Sequence, residues 1–322
     1  MSVTDTTAAT KRRREQKPYK AINPDYPRLA IKHDTEFLLT DTEGLMPGKV
    51  EQGLGFFGND TRWLSQWQLA LNGKPLFLLN GTTRDGYAAN FVYSNAELPG
   101  LPKQSVMVER DVVINDGMTE RLVVRNYADH AIEVSLRINF GSDFADMFEV
   151  RGQQRQRRGQ LMPPVVASDR RRVTLAYEGL DGIRRETYID MLKMRPQRLT
   201  GRCATFRLKL GRHEARELLF HVSTQSGKVV SARPRPSVTY EQQRAIADAR
   251  YRGWREYSAR ITTGNPRFNA VLEQAELDLY VLVQGSERGR ALAAGVPWFA
   301  VPFGRDDLIA ALQTVSFKPE LS

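Results

Sequence analysis

From Leu29 to about Ser231 apolar and polar residues alternate with a period of two. That period marks strands with one face buried and one face wet. Trp63, Ser65, Trp67, Leu69 and Leu71 alternate and run straight into Asn72-Gly73. Such a dipeptide favours a two-residue hairpin, because a type I′ turn needs positive φ at both central positions. Pro75 to Leu79 is then the expected return strand. Val106, Val108, Arg110, Val112 and Ile114 alternate up to the turn Asn115-Asp116-Gly117, and Leu122 to Arg125 answer them. Ile132, Val134, Leu136, Ile138 and Phe140 make the cleanest half-buried strand, with Glu133, Ser135, Arg137 and Asn139 on the wet side. Val173-Leu175-Tyr177, Ala204-Phe206-Leu208-Leu210 and Leu218-Phe220-Val222 continue the pattern. Strands at short spacing, with turns and no helical period between them, predict an antiparallel β-sandwich over residues 29–237.

Near Pro234 the period changes to that of a helix. Tyr240, Ala247, Tyr251, Trp254, Tyr257 and Ile261 fall on one stripe, predicting a linker helix within residues 238–264. Gly264-Asn265-Pro266 breaks it, and Phe268, Val271, Leu272, Ala275, Leu279 and Leu282 mark a second helix with Gly285 just beyond. A loop rich in Gly and Ala follows, then the aromatic, proline-broken stretch Gly295 to Phe303. At Gly304 that stretch turns into a third helix carrying Leu308, Ile309, Leu312 and Val315 on one face. The fold class is therefore mainly β, a sandwich followed by helices. Residues 1–28 carry no period; small polar residues, a basic run and Pro18, Pro24 and Pro27 predict a disordered basic tail.

Composition sharpens this picture at a few points. The 322 residues leave room for about two domains. The net charge of +10 is local: residues 11–20 contribute +5, residues 151–172 contribute +6, and the rest sums to −1. Flexible, solvated charge accounts for this better than a nucleic-acid-binding face, which would interleave its cations with aromatics on a folded surface. No apolar run reaches the ~18–20 residues of a membrane span. The first ten residues lack an apolar signal core, and Cys203 is the only cysteine, so a cytoplasmic protein without disulfides is expected. His33, His130, His213 and His221 are scattered and give no metal-ligand spacing. Gly53-Leu54-Gly55-Phe56-Phe57-Gly58 has the spacing of a dinucleotide-binding loop, but a strand follows it where a helix is required, so it reads as a turn. No cofactor is expected.

Three polar clusters remain as candidates. Asp60-Thr61-Arg62 is either a charged turn in which Arg62 pairs with Asp60 or a loop reaching a neighbouring site. Asp143, Asp146, Glu149 and Arg151 alternate with Phe144, Met147 and Phe148, forming either a structural ion-pair cluster or the rim of a carbohydrate site. Arg305-Asp306 is either a helix start, with Asp306 as N-cap, or part of a sugar pocket beside Trp298 and Phe299. Aromatic faces cover the C–H side of a pyranose, and charged groups take its hydroxyls.

The segment Phe57 to Ser65 with Leu69-Ala70-Leu71-Asn72-Gly73 resembles the N-terminal domain of bacterial glycogen-debranching-type amylo-α-1,6-glucosidases. Asp143 to Gly152 is similar to a second hallmark of that domain, and Gly295 to Phe299 with Phe303 to Asp306 is similar to the opening of the (α/α)6 catalytic barrel that follows it. The resemblance implies a sandwich, a linker helix and an (α/α)6 barrel, of which residues 265–322 would be a truncated start. It implies hydrolysis of α-1,6-linked or related α-glucosides with inversion, by two carboxylates beyond residue 322, so no catalytic residue is expected in this chain. Arg305 and Asp306 would bind the glucose unit, and Trp298 and Phe299 would line its pocket. The expected partners are an α-glucan or oligosaccharide and a further C-terminal barrel segment, with no nucleic acid and no membrane. Two alternatives stay open: a non-catalytic carbohydrate-binding sandwich, and a barrel enzyme for a small glucosyl or mannosyl compound.

Overall fold

A computed structural model describes residues 22–321, except residues 24, 50–51, 84, 228–233 and 287–288. The basic run at 11–20 lies outside the described residues. The chain is mainly β, and every strand pairing among the described residues is antiparallel. A nine-stranded sheet has Ala215–Ser226, Met118–Asn126 and Val106–Ile114 near its middle, and Leu76–Thr82 at one edge. A five-stranded sheet is built on Cys203–Leu210, Ile132–Gly141 and Gln66–Leu71. The two pack face to face. Trp67 meets Phe220 edge-on at 5.8 Å, and Phe206 meets the same ring edge-on at 5.7 Å. Edge-to-face pairs of this kind add about 0.5–1.5 kcal/mol each beyond their buried area. A smaller sheet, Leu29–His33, Glu36–Thr40, Gly55–Gly58 and Thr61–Leu64, shares the same core.

The turn at Asn72-Gly73 forms as its chemistry requires, with φ of 47° and 77° and paired bonds between Leu71 and Lys74. It is not a hairpin between paired strands, however. Gln66–Leu71 joins the five-stranded sheet and Leu76–Thr82 joins the nine-stranded one, so the turn carries the chain across the core. Both segments are better satisfied by distant partners, Ile132–Gly141 and Ala88–Asn95, than by each other. The predicted Trp63–Leu71 strand is also two strands, broken at Ser65.

Among the described residues four α-helices follow the strand pattern or interrupt it. α1, Met147–Val150, is one turn between strands; α2 is Tyr240–Glu256, α3 is Pro266–Leu282 and α4 is Gly304–Thr314. Thr239 opens α2 with a capping box to Gln242, and Asn265 caps α3 with Pro266 in its first turn. The α2 stripe lays Tyr240, Ala247 and Trp254 against Tyr87, Ala88 and Val113, which anchors the helices to the sandwich. The last two residues of that stripe, Tyr257 and Ile261, lie beyond the end of the helix and are exposed. The glycine- and alanine-rich loop holds a three-stranded sheet instead: Val283–Ser286, Gly289–Gly295 and Phe299–Pro302. Small residues left no periodic signal there. The apolar face of α4 is present but uncovered: Leu308, Ile309 and Leu312 are exposed, as are Phe268 and Val271 on α3.

The basic stretch 151–172 is pinned rather than loose. Arg172 grips the fully buried Asp190, Arg158 pairs with Glu149 at 2.7 Å, and Arg155 pairs with Asp146. Asp146 and Glu149 lie just before the stretch, at α1, and only Asp190 comes from another strand.

Candidate functional site

Two of the three polar clusters form one unit. Arg62 is not paired with Asp60. Its buried guanidinium reaches Asp143, donating from Nε to Oδ1 at 3.0 Å and from Nη2 to Oδ2, while Nη1 donates to the Leu54 carbonyl at 3.2 Å. Backbone bonds reinforce the junction: Arg62 N–H donates to the Ala145 carbonyl at 2.9 Å, and Met147 N–H to the Asp60 carbonyl at 2.9 Å. Asn59 and Asp60 take positive φ, 46° and 61°, which turns the chain so that Arg62 points inward. Burial, with Asp146 nearby, raises the pKa of Asp60.

The second segment ends in α1. Asp146 caps it, accepting from Glu149 N–H at 2.8 Å, and Glu149 accepts from Asp146 N–H at 3.1 Å, a reciprocal capping box. Arg158 closes the unit by donating to the Asp143 carbonyl at 2.9 Å while its guanidinium lies over Tyr177. Asp143, Asp146 and Glu149 are thus committed to structural bonds, and Arg151 is the member of the cluster turned elsewhere.

The third segment lands on this unit. The Arg151 guanidinium sits 5.4 Å from the centre of the exposed Phe299 ring, and Phe299 meets Phe303 edge-on at 6.0 Å. Trp298 turns the other way, half-buried against the sandwich core, with Arg28 over its ring at 5.5 Å. Gly53 makes room for it: a Cβ there would come within 2.8 Å of Trp298 Cη2, and its φ of 64° already disfavours a side chain. Gly53→Ala is therefore expected to cost about 1–2 kcal/mol and to push the indole outward. A red shift in tryptophan emission together with a lower unfolding midpoint checks this.

Trp298 and Phe299 thus have separate partners, Trp298 packing on Gly53 and Arg28, and Phe299 on Arg151 and Phe303. α4 begins at Gly304 with Phe303 as N-cap and no side-chain cap, so Asp306 sits inside the first turn and is not the cap. Asp307 has the structural task, its Oδ1 accepting from Leu292 N–H at 2.9 Å. Arg305 and Asp306 are exposed, and among the described residues neither side chain has a hydrogen-bond or ion-pair partner. They lie at the positive end of α4, in reach of solvent.

Periodicity gave no hint of a second feature, a cleft of about 830 Å³ where the Leu29–His33 strand, α2, α3 and the Val283–Ser286 strand meet. The aromatic stripe of α2 was readable, but only as core. Lys32, buried beside the cleft, donates from Nζ to the Val281 carbonyl at 2.8 Å and holds α3 to the first strand; burial lowers its pKa to about 8. Burial, aided by the Arg250 guanidinium, lowers His33 to about 4 against the opposing pull of Asp34. The unfolded chain, with an ordinary histidine near 6.5, takes up a proton first as pH falls. Stability is therefore expected to drop by about 2 kcal/mol between pH 6.5 and 4 on account of His33. Urea midpoints across that range, compared with His33→Gln, check this: the variant loses less on acidification.

Set against known proteins, residues 31–221 match the family model of the N-terminal domain of (some) glycogen debranching enzymes. No curated protein matches the chain. Among solved structures the chain is similar to a putative kojibiose phosphorylase from the human microbiome, with TM-score 0.56 and 8% identity over 86% of this chain and 44% of that one. It thus spans less than half the length of that protein, and at this identity the likeness is one of fold. A galactose mutarotase-like protein from Lactobacillus casei ATCC 334 aligns with TM-score 0.34 and 7% identity, covering 62% of this chain and 100% of that one.

Proposed function

The chain belongs to the family of N-terminal domains of glycogen debranching enzymes, and from that membership we propose that it scaffolds and completes the substrate end of a glycoside hydrolase acting on α-1,6-linked or related α-glucosides. One observation supports this most. Segments around residues 57–65, 140–152 and 295–306 are far apart in sequence and meet at one place, through Arg62–Asp143 and Arg151–Phe299. Chemistry held on a fixed platform keeps its geometry from turnover to turnover. In this reading Phe299 offers a face to the sugar ring, and Arg305 and Asp306 take hydroxyls, as charged groups do when they bind neutral polyols. Trp298 fixes the loop in place and touches sugar only at its rim. The acid and the base of an inverting hydrolysis stand on other helices, and the uncovered apolar faces of α3 and α4 are the surfaces against which such helices pack.

The test is glucose release from a branched dextrin by the polypeptide that carries this chain, with the anomeric proton followed by NMR. Release of the inverted anomer is expected. Arg305→Ala and Asp306→Asn are each expected to lower kcat/KM about tenfold, the size of one hydrogen bond to a charged group. Dextrin binding with no glucose released would overturn the hydrolase and leave a binding module.

A further inference from the structure

We propose that the cleft between the first strand, α2 and α3 is a second carbohydrate site, one that grips a neutral glucan segment away from the Arg305–Asp306 face. Its size, about 830 Å³, falls within the roughly 300–1,000 Å³ usual for ligand pockets. Tyr257 and Tyr280 stand in its wall with Trp254. Tyr257 is 70% exposed, with the Lys318 ammonium 6.0 Å from its ring centre, so most of the ring stays open to a ligand in the cleft.

The polar groups of the wall choose the ligand class. Three cations and two carboxylates line it, and most of them are already engaged. Lys318 is buried, donates to the Trp254 carbonyl, and lies 3.8 Å from Glu320. Arg250 donates to Asn115, and Asp34 accepts from Gly285 N–H at 2.7 Å. Among the described residues an anion would find only Arg290 uncommitted, and it would face two carboxylates. What the wall lacks is a neutral donor and acceptor. Trp254 Nε1, a donor, and Gln284 Oε1, an acceptor, are both sealed from solvent without a partner, on residues each 5% exposed. Buried polar atoms left without partners in a native fold are costly and call for an explanation. A hydroxyl group supplies either role, and a polyol supplies several at once. Once a ligand seats and Gln284 turns toward it, both atoms can be served. His33, neutral at ordinary pH, adds a ring nitrogen of either role without adding charge.

The polyhydroxyl class follows from the cleft alone; the choice of an α-glucan as that polyol rests on the function proposed above. The two sites therefore divide their work. One holds a chain end for reaction, and the other holds a more distant part of the same polymer, which raises the local concentration of ends.

The full 322-residue chain is titrated with maltoheptaose while tryptophan fluorescence and heat are recorded, then again with sorbitol and with inorganic phosphate. Saturable maltoheptaose binding is expected. Tyr257→Ala and Arg290→Ala are each expected to weaken it at least tenfold, with circular dichroism unchanged. Arg305→Ala with Asp306→Asn should leave cleft binding as it is, even if no hydrolysis is ever found. Binding that survives Tyr257→Ala and Arg290→Ala but is lost in the Arg305/Asp306 variant would overturn the cleft site. So would the absence of any saturable binding, or a preference for phosphate over maltoheptaose.

Discussion

Replacing Glu120 by alanine lowers the unfolding free energy by about 3–5 kcal/mol, the usual cost of stripping one partner from a buried ion pair. Arg110 and Glu120 are both 0% exposed. Glu120 Oε2 accepts from Arg110 Nε at 2.9 Å and from Nη2 at 2.7 Å, and its other oxygen accepts from Trp67 Nε1 at 3.0 Å. Arg110 also donates to the Gly44 carbonyl and lies over Phe91 at 5.6 Å. Alanine leaves a full charge and an indole N–H without their acceptor inside the sandwich. Removing both charges, as Arg110→Met with Glu120→Leu, is expected to cost far less, because no unpaired charge remains. Urea unfolding followed by tryptophan fluorescence compares the three proteins. A Glu120→Ala loss below about 1 kcal/mol would show that water reaches this pair.

Asp143→Ala is expected to cost about 3 kcal/mol and to loosen the platform itself. Arg62 is 2% exposed on its side chain, so its fork would be left with only the Leu54 carbonyl. Asp143→Asn keeps an acceptor and should recover part of the loss. Arg62→Lys should not, since an ammonium cannot reproduce the two-pronged contact. Because Arg62 is buried and Asp143 only partly exposed, much of the loss should persist in 1 M salt, where exposed pairs are screened. Local proteolysis supplies the second readout. Cleavage between residues 143 and 158 should appear under conditions that leave the parent chain intact, since α1 and its capping box hang from this junction. If the segment stays resistant, the hydrogen bonds from Arg62 N–H to Ala145 and from Met147 N–H to Asp60 hold it without the ion pair.

Much of the strand pattern could be read from the chain. Val106–Ile114, Met118–Asn126 and Ile132–Gly141 lie where alternation placed them. Each has one face in a single core, and the turn between the first two carries Asp116 and Gly117 at positive φ, 51° and 106°. The same alternation that placed Arg110 among valines pointed it inward, but could not say that Glu120 would meet it there. At the candidate site the residue types were legible and their roles were not. Trp298 packs over Gly53, a contact the sequence did not show; Arg62 looked like the partner of Asp60 and belongs to Asp143; Asp306 looked like a cap and is exposed inside the first turn.

The sequence by itself determined what depends on neighbours within a few residues. The period of two, the φ > 0 turns, the change to helix near residue 238 and the three segments of family resemblance are all local or read by resemblance. Only the tertiary structure decided which strand pairs with which, as when the chain leaves Asn72-Gly73 for a different sheet. It alone brought Arg62 to an acid 81 positions away, set Arg151 over Phe299, and opened the cleft beside Tyr257. The reason is physical. Backbone preferences act over one turn of chain, whereas an ion pair, a stacked ring or an unfilled cleft depends on packing between segments that the sequence order keeps apart.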